Sequence, residues 1–398
     1  MTAVGVVAEY NPFHNGHMFH LTQTAARFPD RAIVCVMSGN VVQRGSFAIL
    51  HKFARAAAAV QSGADLVFEL PTAFACAPAP IFASRSVELL AATGVVDALS
   101  FGSECGDAAA LQRAAADDTF HAERFTASLR AGRSYAAACA EASHPEIRSI
   151  LAAPNDLLAI EYLRAARQFL PNAAVCAVKR QGAGHNQLDA SGSYPSASAL
   201  RNRMRDQMEI SAWLPPSSTE ILQREQAAGR APVFEEASAL PMLATLRRMN
   251  PETLAQLPEV TEGLEYRIAS AAKQAVSVSD LLERLKTKRY TCARLRRILM
   301  SAYIGLTEAE QKQHPAYLHL LAASRRGTAL LHEMKQTARL PVIAKPSAIK
   351  KLDASAKMLA DLEERTDSLY LLAYPERQQR GFGHFYVSSP WIAPHDPV

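Results

Sequence analysis

Over the first half of the chain, short β-rich runs alternate with stretches of helical period. Val4–Val7, Ala32–Met37, Leu66–Phe68, Val95–Phe101 and Ala173–Val178 read as buried strands, with helices expected over residues 16–26 and 52–62. That alternation predicts an α/β fold, a parallel sheet covered by helices. Each strand ends in a polar or glycine-containing turn, and such turns sit at the carboxyl edge of a sheet, where open α/β folds bind ligands. From about Met204 the pattern changes to long Leu/Ala/Arg/Glu helices, and Pro215-Pro216-Ser217-Ser218 reads as a break. The expectation is a ligand-binding domain over residues 1–205 and a mainly helical one over 206–398. Strands are expected to return near Leu369–Ala373 and Gly383–Val387.

Composition narrows the class without naming a function. The 398 residues are 49% hydrophobic and 20% charged, ordinary for globular protein. No apolar run approaches the roughly 20 residues of a membrane span, and the N-terminus opens as a strand without a basic leader. The six cysteines are scattered with no CxxC, which suggests reduced thiols, a cytoplasmic address and no zinc framework. A net charge of +5 is too small to argue by itself for a nucleic-acid partner.

The chemistry concentrates at the first turn, Glu9-Tyr10-Asn11-Pro12-Phe13-His14-Asn15-Gly16-His17. Asn11-Pro12 makes the turn, and Gly16 lets a ligand approach the backbone where the helix starts. The free N–H groups of a helix N-terminus favour an anion, phosphate above all. Histidines three apart can both donate to phosphate oxygens, whose charge grows as a bond to phosphorus forms. Taken singly, His14 is as readily a surface residue of the turn and His17 a core residue. His14, His17 and His20 also share a helical face, as a metal site would require, but only Glu9 stands nearby as a further ligand, and neither the Asn-Pro turn nor Gly16 has a role in one.

The strand, Asn-Pro and HxGH together resemble the signature of the nucleotidyltransferase superfamily, related to the HIGH motif of class I aminoacyl-tRNA synthetases. The resemblance implies a Rossmann-like domain, adenylyl transfer with release of pyrophosphate, and a magnesium ion accompanying ATP; from the ligand spacing, no metal site of the protein's own is expected. A second element of that superfamily, a Ser/Thr-rich turn before an arginine, is matched by Tyr194-Pro195-Ser196-Ala197-Ser198-Ala199-Leu200-Arg201. Ser196 and Arg201 could hold phosphates there; equally, Ser196 or Ser198 is a helix N-cap. Pro195 in the turn, and no lysine before it, depart from the synthetase pattern.

Further strings occur in order: Val36-Met37-Ser38-Gly39-Asn40, Gln43-Arg44-Gly45, Lys52-Phe53-Ala54-Arg55, Glu69-Leu70-Pro71, Phe101-Gly102-Ser103-Glu104, Pro154-Asn155-Asp156-Leu157-Leu158 and Val178-Lys179-Arg180. With the opening motif they resemble the bacterial tRNA(Met) cytidine acetate ligase family, densely over the first domain and loosely beyond it. The resemblance implies that ATP activates acetate as acetyl-adenylate and that the acetyl group passes to N4 of the wobble cytidine of elongator tRNA(Met). It places ATP contacts on Val7, Ala8, Glu9, Tyr10, Asn11, Pro12, Phe13, His14, Asn15, Gly16, His17, Met18, Phe19 and His20, and on Gly102, Asn155 and Arg180. His14 and His17 are the expected catalytic pair.

In the second half, residues 284–297 carry seven cationic side chains and no acid. Lys286, Lys288, Arg289, Arg296 and Arg297 are candidate tRNA contacts, and Tyr290 could stack on a base. Leu281, Leu285, Leu295 and Ile298 have core spacing, so a solvated helix face competes with this reading. Weaker basic pieces lie at Arg325-Arg326, Lys345–Lys351 and Arg377–Tyr386. The implied partners are tRNA and acetate, with no membrane and no DNA. Two rivals stand beside this reading: an adenylyl- or cytidylyltransferase acting on a small phosphorylated metabolite, and a non-catalytic RNA-binding protein on the same scaffold.

Overall fold

The computed structural model describes residues 1–116, 122–131, 133, 135–143, 145–151, 153–181, 194–261, 263–287, 290–381 and 383–394. Its main sheet contains strands β1 (Ala3–Ala8), β2 (Ala32–Ser38), β3 (Leu66–Leu70), β4 (Val96–Ser103), β5 (Ala174–Lys179), β6 (Leu318–Ala323), β7 (Val342–Ile343) and β8 (Trp391–Ile392). Their spatial order is β8-β6-β3-β2-β1-β4-β5, with β7 beside β6. β1 to β5 pair in parallel, as the alternation of strands and helices requires. The strand order reverses direction between β1 and β4, so the crevice for a ligand lies beyond their carboxyl ends.

The period-2 pattern divides each central strand between two cores. In β2, Val34 and Val36 join one cluster, while Ile33, Cys35 and Met37 join the other. The first core takes Phe82, Val87 and Leu90 from helix Ala79–Ala92 and Ile160 and Leu163 from helix Pro154–Phe169. The second takes Leu21 from helix α1 (Asn15–Arg27) and Ala56–Val60 from helix α2 (Lys52–Gln61).

The second half is helical in the main, but the sheet does not end at residue 205. β6 lies antiparallel against β3, pairing Leu66 with Ala323 and Phe68 with Leu320. Leu243, Ile268, Leu299 and Leu359, on four later helices, belong to the same apolar cluster as Val34 and Phe68. The expected break at Pro215-Pro216 is a helix start that packs against α2: Pro216 occupies the first turn of Pro216–Ala227, where its missing N–H costs nothing. The strands expected near Leu369–Ala373 and Gly383–Val387 are instead the end of helix Ala354–Leu372 and helix His384–Val387. A short apolar run does not tell a strand from the buried face of a helix.

A buried ionic centre joins the two halves. Lys52 Nζ lies 2.8 Å from Glu69 Oε1 and 2.9 Å from Asp367 Oδ2. Glu69 also accepts from His319 Nδ1 at 2.5 Å, Asn40 Nδ2 donates to Asp367 at 2.9 Å, and Glu363 accepts from the hydroxyl of Thr72 at 2.9 Å. Burial disfavours the lysine charge, but Asp367 and Glu69 outweigh it and hold its pKa above the usual lysine value.

Candidate active site

The turn after β1 is held from several sides. Arg55, wholly buried, donates to the carbonyls of Leu50 at 2.9 Å, Glu9 at 2.6 Å and Ser38 at 3.1 Å, and also to that of Gly39. It thus gathers chain leaving β1 and β2. Asn11 Oδ1 accepts from Ile49 N at 2.9 Å, and Glu9 Oε1 accepts from Gln43 N at 2.7 Å. The Asn11–Pro12 peptide is cis, and Tyr10 has φ 48, a left-handed conformation unusual for a large side chain. Its ring is buried edge-on against Phe13, centroids 4.8 Å apart.

Helix α1 starts with a capping box made of histidines. His14 is the N-cap: its Nδ1 accepts from Gly16 N at 3.0 Å, and His17 Nδ1 accepts from His14 N at 3.2 Å. Each Nδ1 lone pair is therefore engaged, which leaves Nε2 to carry the proton in the neutral ring. The rings stack 3.8 Å apart and both line the cavity. Burial first, then the charges of Arg180 and Arg201, push His14 down to about 3; burial, then His14 and Arg180, lower His17 well below the ordinary imidazole value. The pair is thus two neutral donors fixed at a helix N-terminus.

His20 differs. Thr24 Oγ1 donates to the His20 carbonyl at 2.8 Å, so in the 2.7 Å contact between Thr24 and Ser100 the Ser100 hydroxyl donates. His20 Nε2, 3.0 Å from Ser100 Oγ, must then donate to it. With His14 and His17 protonated on Nε2 and accepting on Nδ1, the three rings do not turn three lone pairs to one point. The arrangement suits an anion rather than a metal held by protein nitrogen. Magnesium arriving with ATP would be held by phosphate oxygens and water, with Glu9 the carboxylate at the cavity wall.

The cavity measures about 420 Å³ and opens between the ends of β1 and β4. Val7, Ala8, Glu9, Tyr10, Asn11, His14, Gly16, His17, Phe19 and His20 line it from the first turn; Gly102, Asn155, Arg180, Ser196 and Arg201 complete the expected set that reaches it. Pro12, Phe13, Asn15 and Met18 are not in its wall. Pro12 and Phe13 are buried as the turn's anchor, Asn15 Nδ2 donates outward to Ala212 O at 3.3 Å, and Met18 is 36% exposed. Ser196 caps helix Ala197–Arg205 by accepting from Ala199 N at 3.1 Å. Arg201 donates to Asn11 O at 2.7 Å, which ties that helix to the motif turn. Arg44, Gln43 and Tyr162 also line the cavity. Gln43 and Arg44 belong to the Gln43-Arg44-Gly45 string, at the turn of a short antiparallel hairpin that pairs Val41–Val42 with Ser46–Phe47. At φ +73, a Cβ on Gly45 would lie 2.5 Å from the Arg296–Arg297 backbone, so the hairpin is seated against helix Cys292–Ile304.

The basic segment is less free than its sequence suggests. Arg297 pairs with Glu259 through two contacts at 2.5 and 2.6 Å, Arg296 meets Glu235, and Arg284 meets Asp280. Tyr290 is buried beneath Arg294 rather than open to a base. For Arg296 and Arg297, acids distant in sequence supply the compensation that the segment lacks, and for Arg284 the acid stands four residues earlier on its own helix. Lys286 is exposed, away from the cavity, while Lys288 and Arg289 lie outside the described residues. No helix of the described residues is long and apolar enough to cross a membrane.

Residues 1–383 match the family model described as HIGH Nucleotidyl Transferase. The tRNA(Met) cytidine acetate ligase of Acetivibrio thermocellus is 36% identical, and that of Syntrophomonas wolfei 34%, each alignment covering 98% of this chain and 99% of the relative. A crystal structure of Thermotoga maritima TmcAL bound with alpha-thio ATP superposes with a TM-score of 0.91 at 33% identity, over 98% of this chain and 99% of that one. The apo form of the same protein gives 0.93. The sheet order, the histidine-capped helix over its switch point and this full-length similarity agree: the chain belongs to the HIGH nucleotidyl transferases and, within them, to the tRNA(Met) cytidine acetate ligase family.

Proposed function

We propose that this protein uses ATP to activate acetate and then acetylates N4 of the wobble cytidine of elongator tRNA(Met). The observation that carries the reading is the histidine capping box, which presents two neutral Nε2–H donors beside Arg180 and Arg201 in a nucleotide-sized cavity. In the first step an acetate oxygen attacks the α-phosphorus, and pyrophosphate leaves with the electrons of the broken P–O bond. His14 and His17 donate to oxygens whose charge rises at that moment, while Arg201 and Arg44 favour the departing polyanion. In the second step the cytosine amine attacks the acetyl carbon, AMP leaves, and the amine loses a proton. Neither step needs a covalent protein intermediate; positioning and exclusion of water are the protein's contribution.

For the tRNA, Lys286 and Arg296 are the described basic residues retained as contacts; Arg297 acts through its pair with Glu259 as a support of the helix. A tRNA substrate places the reaction in the cytoplasm. The test is incubation of pure protein with labelled acetate, ATP and bulk tRNA. ATP-dependent label in tRNA is expected, lost in His14→Ala and His17→Ala. ATP cleavage with a small phosphorylated acceptor and no label in RNA would instead support a metabolic adenylyltransferase.

A further inference from the structure

Asn155 lines the cavity, and its amide is not free to rotate. Glu104 Oε1 accepts from Asn155 Nδ2 at 2.5 Å and from Asn155 N at 3.4 Å, and Glu104 Oε2 accepts from Asp156 N at 3.0 Å. Asp156 answers in the opposite direction: its carboxylate accepts from Ser103 Oγ at 2.5 Å, Glu104 N at 2.9 Å and Cys105 N at 3.1 Å. Two carboxylates thus clasp the turn after β4 to the start of helix Pro154–Phe169. Because a carboxylate only accepts, the amide nitrogen must face Glu104. Asn155 Oδ1 then remains as an acceptor, with no donor to it among the described residues. The cavity around this helix is apolar, with Phe101, Leu157, Leu158 and Tyr162 in its wall, whereas the neutral His14 and His17 donors and the Arg201 cation form the anion-binding end. A purine ring belongs at the first and phosphates at the second.

We propose that Glu104 is the residue that sets nucleotide choice, by holding Asn155 so that its amide oxygen accepts a hydrogen bond from the N6 amine of adenine. Guanine presents an acceptor oxygen at the same position, and two facing acceptors leave both unpaired. Glu104 is a positioning residue in this scheme and touches no substrate. Glu104→Gln places an amide where the carboxylate was, so the Asn155 amide can flip and offer its NH2 to the cavity.

The inference rests on the adenylate-forming reading, and the assay is acetate-dependent exchange of pyrophosphate into nucleotide, without tRNA. Wild-type protein is expected to favour ATP over both GTP and purine riboside 5′-triphosphate, which lacks the amine, by at least about tenfold in kcat/KM. Glu104→Gln is expected to lower the ATP/GTP ratio about tenfold, Asn155→Ala similarly, and Glu104→Gln added to Asn155→Ala by less than about twofold further. The proposal is overturned if wild type uses purine riboside triphosphate as well as ATP. It is also overturned if Glu104→Gln weakens both nucleotides equally, as loss of a mere helix cap would, or if its effect on the ratio persists without Asn155. The wild-type comparison decides even where a variant does not fold. Absence of exchange with every nucleotide would count against acetate activation instead, and calorimetric binding of ATP and GTP to the same proteins then carries the comparison.

Discussion

Replacing Gly16 by alanine places a methyl group 2.9 Å from His14 Cε1 and 3.1 Å from His14 Nδ1. The imidazole has no easy retreat: it is stacked on His17 at 3.8 Å and accepts from Gly16 N at 3.0 Å. The ring must tilt, with two separable effects. Losing the cap costs about 1 kcal/mol of stability, but alanine regains up to about 1 kcal/mol over glycine in a helix, so the thermal midpoint should move little. Displacing an oriented donor from the developing charge costs far more, about 2.7–4 kcal/mol or 10²–10³ in kcat. Acetate-dependent pyrophosphate exchange under saturating ATP is the assay. Gly381→Ala is the control, since a Cβ there meets nothing within 4 Å. A Gly16→Ala protein that keeps kcat within about threefold of wild type would refute the assignment of His14 as a positioned donor.

At Gly102 the nearest atom to an added Cβ is Arg180 Cγ at 3.6 Å, an ordinary contact. Gly102→Ala should therefore fold normally and raise KM for ATP about tenfold with kcat kept; an unchanged KM would mean the nucleotide does not approach this turn. Arg297→Glu should destabilise the protein by about 2–4 kcal/mol, because it sets two carboxylates together where the Arg297–Glu259 pair is largely buried. Lys286→Glu should leave the melting curve in place and weaken tRNA binding in a salt-dependent way; equal melting of both variants would undo the distinction. Lys52→Met leaves Glu69 and Asp367 buried without their cation and should cost at least about 3–5 kcal/mol in denaturant unfolding. Finally, burial and Arg180 hold His14 at about 3 and His20 at about 4, below the unfolded value of about 6.5. The folded state binds fewer protons, so their contribution is complete above about pH 6.5 and is lost as pH falls toward 3. Melting between pH 7.5 and 5 should show a smaller fall for His20→Gln than for wild type.

The first half of the fold was legible because its evidence is local. Val4–Val7 and Ala32–Met37 are uninterrupted apolar runs, and the Asn-Pro turn, Gly16 and the two histidines stand within nine residues of Glu9. What escaped depends on distant partners. β6 carries His319 within its apolar run, a polar residue made acceptable by Glu69, 250 positions earlier. The basic segment looked uncompensated because Glu235 and Glu259 lie 61 and 38 positions before their arginines. Arg55 stood in a recognised string, but its work on four carbonyls is visible only once β1 and β2 are side by side. Ser196 offered both a cap and a phosphate contact in sequence; the structure gives it the cap and leaves it in the cavity wall.

The antiparallel placement of β6 bears on how the chain acquires its shape. β3 is complete at residue 70, but its outer neighbour is not synthesised until residue 323. On the ribosome the nascent sheet therefore waits with Leu66–Leu70 as an open, apolar edge, the kind of strand that invites pairing with another chain. Closing so long a loop is a high-contact-order event and should be slow relative to the local steps before it. A fragment ending at residue 205 would keep that edge permanently and would also lack Asp367 and His319, the partners of Lys52 and Glu69. The catalytic half should consequently aggregate when expressed alone, and co-expressed residues 206–398 should restore its solubility by supplying the missing strand.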